Sequence, residues 1–111
     1  MPMLRLPIAA RLGLLPMLIC LAAGPVSAED EFEGLPPGPG QEETFYACAA
    51  CHSIRLVTQQ GLSRERWDET LEWMVEEQEM DPLEPEERAL VLDYLSNFIT
   101  PEWHKERMKN R

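Results

Sequence analysis

Bases, histidines and cysteines are all scarce in this 111-residue chain, and each scarcity closes a class of function. Ten lysines and arginines face 20 acids, a net charge of −10 with the two histidines neutral, so the chain as a whole repels a nucleic-acid backbone. With only three cysteines and two histidines there is no second pair of ligands for a structural zinc. No apolar run is long enough to cross about 30 Å of hydrocarbon. Nothing reads as a parallel sheet, and no internal repeat or low-complexity tract is present. The length allows one domain at most, with a small core.

The N-terminus has the layout of a secretory leader. Arg5 and Arg11 precede an apolar run from Leu12 to Ala23, interrupted by Pro16, and the small residues Val26-Ser27-Ala28 precede an acidic start at Glu29. This predicts a signal peptide over residues 1–28, cleaved after Ala28, and no membrane span afterwards. Cys20 follows Leu18 and Ile19, without the small neighbour that lipidation of a cysteine needs, and leaves with the leader. The 83 residues that remain have lost two arginines and no acid, which takes the net charge to −12. Charge is uneven along them: Glu29 to Ile99 holds four arginines against 18 acids, whereas Thr100 to Arg111 holds four bases against Glu102 and Glu106.

Cysteine usage carries the chemistry. The remaining cysteines lie in Cys48-Ala49-Ala50-Cys51-His52, the C-x-x-C-H spacing of covalent haem attachment. Each thiol can add across one haem vinyl group, which holds the adjacent imidazole beside the iron. A disulfide is the plainer use of two exported thiols, but it gives no role to His52. A thioredoxin-like pair needs a βαβ setting that the chain lacks. The expected cofactor is therefore one haem c, bound through Cys48 and Cys51 with His52 as an axial ligand.

Around that motif the pattern is helical. Residues 29–40 include Leu35-Pro36-Pro37-Gly38-Pro39-Gly40 and read as an extended arm without a core of its own. Gln41 to Cys51 predicts a short helix that turns Phe45 and Tyr46 inward, with Glu42 and Glu43 in its first turn. Ser53 to Leu62 reads as a loop ending at Gly61, offering Leu56 and Val57 to an apolar surface. From Ser63, a candidate N-cap, Trp67, Leu71, Met74 and Val75 recur at i, i+4, i+7 and i+8 of an amphipathic helix. A last helix begins near Pro85, carries Val91, Tyr94, Leu95 and Phe98, and stops before Pro101. The domain thus spans residues 41–100, and residues 101–111 read as a polar basic tail.

A second axial ligand is sought among three methionines and a histidine. Met74 is claimed by the apolar stripe of its helix, where methionine is ordinary core filling. Met108 and His104 sit in the polar tail. Met80 falls on a short loop stiffened by Pro82, where a thioether can be held over the iron, and thioether ligation raises the potential. Met80 is the first choice, Met74 the second and His104 a distant third.

Gly40, Cys48-Ala-Ala-Cys51-His52, Met80-Asp-Pro82 and Leu92-Asp-Tyr94-Leu95 together resemble the class I c-type cytochromes, across essentially all of residues 29–111. The resemblance implies an all-α, small cytochrome c-like fold of three to four helices around one covalent haem, with histidine and methionine as axial ligands. More narrowly, the run from Ser53 to Gly61, with Trp67, Trp73 and Met80-Asp-Pro-Leu83, is similar to small monohaem subunits that accept electrons from sulfite-oxidising molybdenum enzymes. This sequence lacks the proline after His52 whose carbonyl would orient the imidazole, and has Thr44 where an aromatic often packs.

The expected function is electron transfer in the periplasm, by an electron carrier rather than an enzyme, either free or as a dehydrogenase subunit. The alternative is a haem enzyme or ligand-binding sensor with an open sixth iron position, for which the chain offers no distal histidine on a core element. The acids Glu72, Glu76, Glu77, Glu79 and Asp81 crowd the end of the middle helix, where the helix dipole disfavours negative charge. They predict a redox partner that presents a basic docking surface.

Overall fold

Why the chain folds where it does begins with two helices whose starts are marked in the sequence, one by a serine cap and one by a first-turn proline. The computed structural model describes residues 23–25 and 31–111; Cys20 and the expected cleavage point after Ala28 lie outside them. Five helices and no strand occur among the described residues: α1 (Gln41–Ala49), α2 (Arg55–Thr58), α3 (Arg64–Glu77), α4 (Pro85–Phe98) and α5 (Pro101–Lys109). None is long and apolar enough to cross a membrane.

Helix α3 opens on Ser63, whose hydroxyl accepts from the Arg66 amide at 3.3 Å, which satisfies one of the free donors of the first turn. Its stripe turns inward: Trp67 and Leu71 are buried, and Met74 and Val75 are half-buried. Helix α4 starts on Pro85, whose missing N–H costs nothing at that position, with Glu86 and Glu87 on the favourable end of the dipole. It buries Val91, Leu92, Tyr94 and Leu95. Helices α1 and α3 both pack on α4, so α4 is the spine.

The carbonyl of Ile99 locks the end of that spine. It accepts from the Trp67 indole at 3.0 Å and from the Leu62 amide at 3.1 Å, which joins the start of α3 to the end of α4 inside the core. Two ion pairs tie the same helices from outside, Arg64 with Asp93 at 2.7 Å and Arg88 with Asp68 at 2.8 Å. All four side chains keep much of their solvent, so each pair adds only about 0.2–1 kcal/mol.

Where α1 meets α4 the backbone admits no side chain. Gly40 caps α1 at φ 90°, in the left-handed region, and a Cβ there would sit 3.0 Å from both the Leu90 carbonyl oxygen and the Tyr94 Cβ. Gly40→Ala meets strain and overlap together. It should lose about 1–3 kcal/mol, read as a lower urea midpoint with an unchanged slope.

Several expectations need correction. The arm before α1 does contribute core: Leu35 is fully buried, its carbonyl accepts from Gln41 Nε2 at 2.9 Å, and the Pro36 carbonyl accepts from the Tyr94 hydroxyl. Phe45 is partly buried against Phe32, but Tyr46 is 62 % exposed, and the inward face of α1 is Gln41 and Thr44. The segment from Ser53 to Leu62 holds the short helix α2. Residues 101–109 form α5, so the polar tail is mostly helix, and the helices number five rather than three to four.

Candidate functional site

The sequence around the C-x-x-C-H motif ends a helix and then bends. Cys48 lies in the last turn of α1, half-buried, whereas Cys51 follows in an exposed turn and His52 in a bend, half-buried. Loss of solvent around Cys48 pushes its thiol up to about 11 from an ordinary 9. At neutral pH the folded chain therefore offers no Cys48 thiolate.

The orientation of His52 follows from one hydrogen bond. Its Nδ1 lies 3.1 Å from the Ser53 carbonyl oxygen. A carbonyl can only accept, so Nδ1 carries the proton and, in the neutral ring, Nε2 presents its lone pair. Second-shell bonds of this kind fix the tautomer of metal-ligating histidines. The carbonyl of Ser53 thus does what the absent proline was expected to do.

Helix α3 brings the methionines to the same place. Glu79, just past its end, has φ 58°, and this left-handed turn lets the Met80 amide donate back to the Met74 carbonyl at 3.1 Å. The chain reverses there without a glycine. Met80 is consequently half-buried on the loop between α3 and α4, against the end of the helix that carries Met74.

These residues line one cleft of about 400 Å³. Cys48, Cys51 and His52 form one side of it, while Met74, Gln78 and Met80 come from α3 and the loop after it. Leu56, Val57, Trp67, Leu71 and Leu95 make the rest of its wall mostly apolar. A second hollow of about 580 Å³ shares His52, Leu56, Val57, Trp67, Trp73 and Met74 with the first and extends to Gln60 and Arg66. The size and apolar lining are those of a small-molecule or cofactor site. No three of His, Cys, Asp and Glu converge to hold a metal ion by themselves among the described residues, at the cleft or away from it.

Met74 and Met80 both line the cleft, so presence in its lining alone does not separate the first and second choices. His104 and Met108 lie on α5, away from the cleft lining: His104 packs against Gly61, with its Nδ1 buried and unpartnered, and Met108 is 53 % exposed. The indole of Trp67 is spent on Ile99 and the guanidinium of Arg64 on Asp93 and Ser96, so neither is free to hold a bound acid group. Trp73, half-exposed at the rim, and Arg66, itself paired with Glu69 at 2.7 Å, are among the polar groups at the mouth that the sequence pattern did not single out as site residues. Their exposure gave the sequence pattern nothing to mark.

Comparison with protein-family models, with curated proteins and with solved structures finds no match.

Proposed function

We propose that this chain is a monohaem c-type cytochrome that carries electrons. The supporting observation is the convergence of Cys48, Cys51, His52 and two methionines on one apolar cleft, from the 48–52 motif, from α3 and from the loop after it. The donor set suits the group: two thiols three residues apart for covalent attachment, an imidazole with Nε2 exposed by its bond to Ser53, and thioethers across the cleft. Bound there, haem iron supplies a one-electron couple.

The chain's own residues do the rest. His52 is held in one tautomer and Met80 is placed at the cleft by the Glu79 bend, so backbone hydrogen bonds position two residues that would hold the iron. Val57, Leu71 and Leu95 are buried and give the cleft an apolar wall, which would disfavour added charge on a bound haem and, with methionine ligation, raise its potential. Attachment after export matches the predicted leader and places the carrier in the periplasm. It serves there as a diffusing carrier or as the electron-accepting subunit of a dehydrogenase, such as the sulfite-oxidising molybdenum enzymes of the narrower resemblance.

Docking to a partner follows from charge at the end of α3. Glu72, Glu76, Glu77, Glu79 and Asp81 are all exposed, and of these only Glu72 lies near a base, 3.6 Å from Arg88. Trp73 is the shared wall between the cleft and a groove of about 380 Å³ lined by Asp68, Glu69, Glu72 and Glu76 together with Arg88, four acids against one base. A basic partner seated on these acids would lie over the cleft mouth. The rate of reduction by such a partner should fall as salt rises, and converting the five acids to glutamine should lower it at low salt and flatten its salt dependence. A rate indifferent to both changes would leave the acids as an ordinary solvated face.

A further inference from the structure

Basic side chains are too few in this chain to be spent idly, and they divide into two groups. Arg64, Arg66 and Arg88 each lie within ion-pair distance of a carboxylate on α3 or α4. Arg55, Lys105, Arg107, Lys109 and Arg111 pair with no carboxylate among the described residues, although acids outnumber bases two to one. All five stand on α2, on α5 or just past the end of α5.

Arg107 is the fixed member. Its guanidinium lies over the Trp103 ring, 5.1 Å from the centroid, and Nη1 donates to the Thr58 carbonyl at 3.2 Å, which clamps α5 to the end of α2. Arg55, three residues before Thr58, and Arg111, one turn beyond Arg107, are close enough to act on it. Loss of solvent, then repulsion from Arg111 and Arg55, lowers the pKa of Arg107. The clamp itself uses Arg107 alone. The side chains of Arg55 and Arg111 make no hydrogen bond or ion pair among the described residues, so no contact within the fold employs them.

We propose that Arg55, Arg107 and Arg111 form a docking surface for an acidic protein segment, distinct from the acidic surface at the end of α3. Planar guanidiniums match carboxylates in a two-pronged geometry, and Arg107 is already ordered for it. Lys105 and Lys109 broaden the field. A lipid surface suits α5 poorly: its Trp103 is turned inward under Arg107, and Met108 is its one exposed large apolar residue, so the nine-residue helix lacks an apolar face to immerse. Helix α2 also lends Leu56 and Val57 to the cleft wall, so a partner on this patch sits beside the site without covering the acids near Met80. The chain can then hold one partner of each charge at once. The patch itself rests on the folded chain and not on the haem reading.

Hexaglutamate titrated into the isotope-labelled, purified full chain at low salt tests this directly by NMR. The long-range field of an acidic chain opposes such a peptide, so binding has to be local. Shifts should concentrate on α2, α5 and the three arginine side chains, disappear in high salt, and weaken about threefold to tenfold in Arg55→Gln/Arg111→Gln, a variant that keeps the Arg107 clamp and should leave the core signals in place. No shifts at low salt, shifts centred elsewhere, an unchanged affinity in the double variant, or binding to phosphatidylglycerol vesicles without binding to hexaglutamate would each overturn the proposal.

Discussion

A chain carrying Cys48→Ala and Cys51→Ala should run on a denaturing gel with no haem stain at all, where the wild type stains. The prediction rests on chemistry rather than on affinity. Thioethers to Cys48 and Cys51 would be the only haem bonds to survive unfolding, and residues 29–111 contain no cysteine besides these two. The loss should extend to the fold. So small a domain has a marginal core, and the cleft bounded by Leu56, Val57, Trp67, Leu71 and Leu95 would be left without its largest apolar occupant. Circular dichroism of the double variant should therefore show reduced helix and a broadened thermal transition. Single replacements are expected to be milder, each leaving one thioether and a stain of reduced intensity. Haem stain persisting in the double variant would remove the covalent assignment.

Met80→Ala should convert a closed iron into an open one. In the haem-loaded protein this variant is expected to lose the weak near-infrared band of an iron–sulfur bond and, when reduced, to bind carbon monoxide that the wild type excludes. Met74→Ala is the control, because Met74 lines the same cleft and belongs to the buried stripe with Trp67 and Leu71. Its expected effect is on stability, about 2–5 kcal/mol for a buried methionine and toward the low end for one half-exposed, with the band retained. The Glu79 turn distinguishes the two further. A left-handed residue that folds the Met80 amide onto the Met74 carbonyl aims Met80 back at the cleft, whereas Met74 reaches it only as part of the helix face. Should the band vanish with Met74→Ala and survive Met80→Ala, the ligands exchange roles and the carrier reading stands.

Local patterns were legible in the sequence and long-range ones were not. The stripe Trp67, Leu71, Met74, Val75 and the cap Ser63 define α3 because a helix writes its period into neighbouring residues. The C-x-x-C-H motif is legible for the same reason. Leu35 was missed because the five prolines and glycines that follow it read as a linker, and its burial depends on Gln41 and Tyr94, contacts that no short window contains. Helix α5 was missed through a one-sided reading of Pro101. Proline ends one helix and also suits the first turn of the next, and Thr100, whose hydroxyl accepts from the Trp103 amide at 3.1 Å, is an N-cap that was there to be seen. Tyr46 was assigned inward for being aromatic, although Gln41, Thr44 and Cys48 occupy the i, i+3, i+7 positions of the face that turns inward. The bond that orients His52 could not have been read from sequence at all. It uses a backbone carbonyl, which every residue at position 53 would carry.

The most direct measurement is the absorption spectrum of the purified wild-type protein, oxidised and reduced, with and without carbon monoxide, followed by the alkaline pyridine spectrum of the unfolded chain. The account predicts sharp low-spin bands in the reduced form, no change on adding carbon monoxide, and a pyridine spectrum of haem with both vinyl groups saturated, at one haem per chain. A protein without haem bands would contradict the central claim outright, and a reduced form that takes up carbon monoxide at once would replace the electron carrier with a haem enzyme or sensor whose sixth position is open.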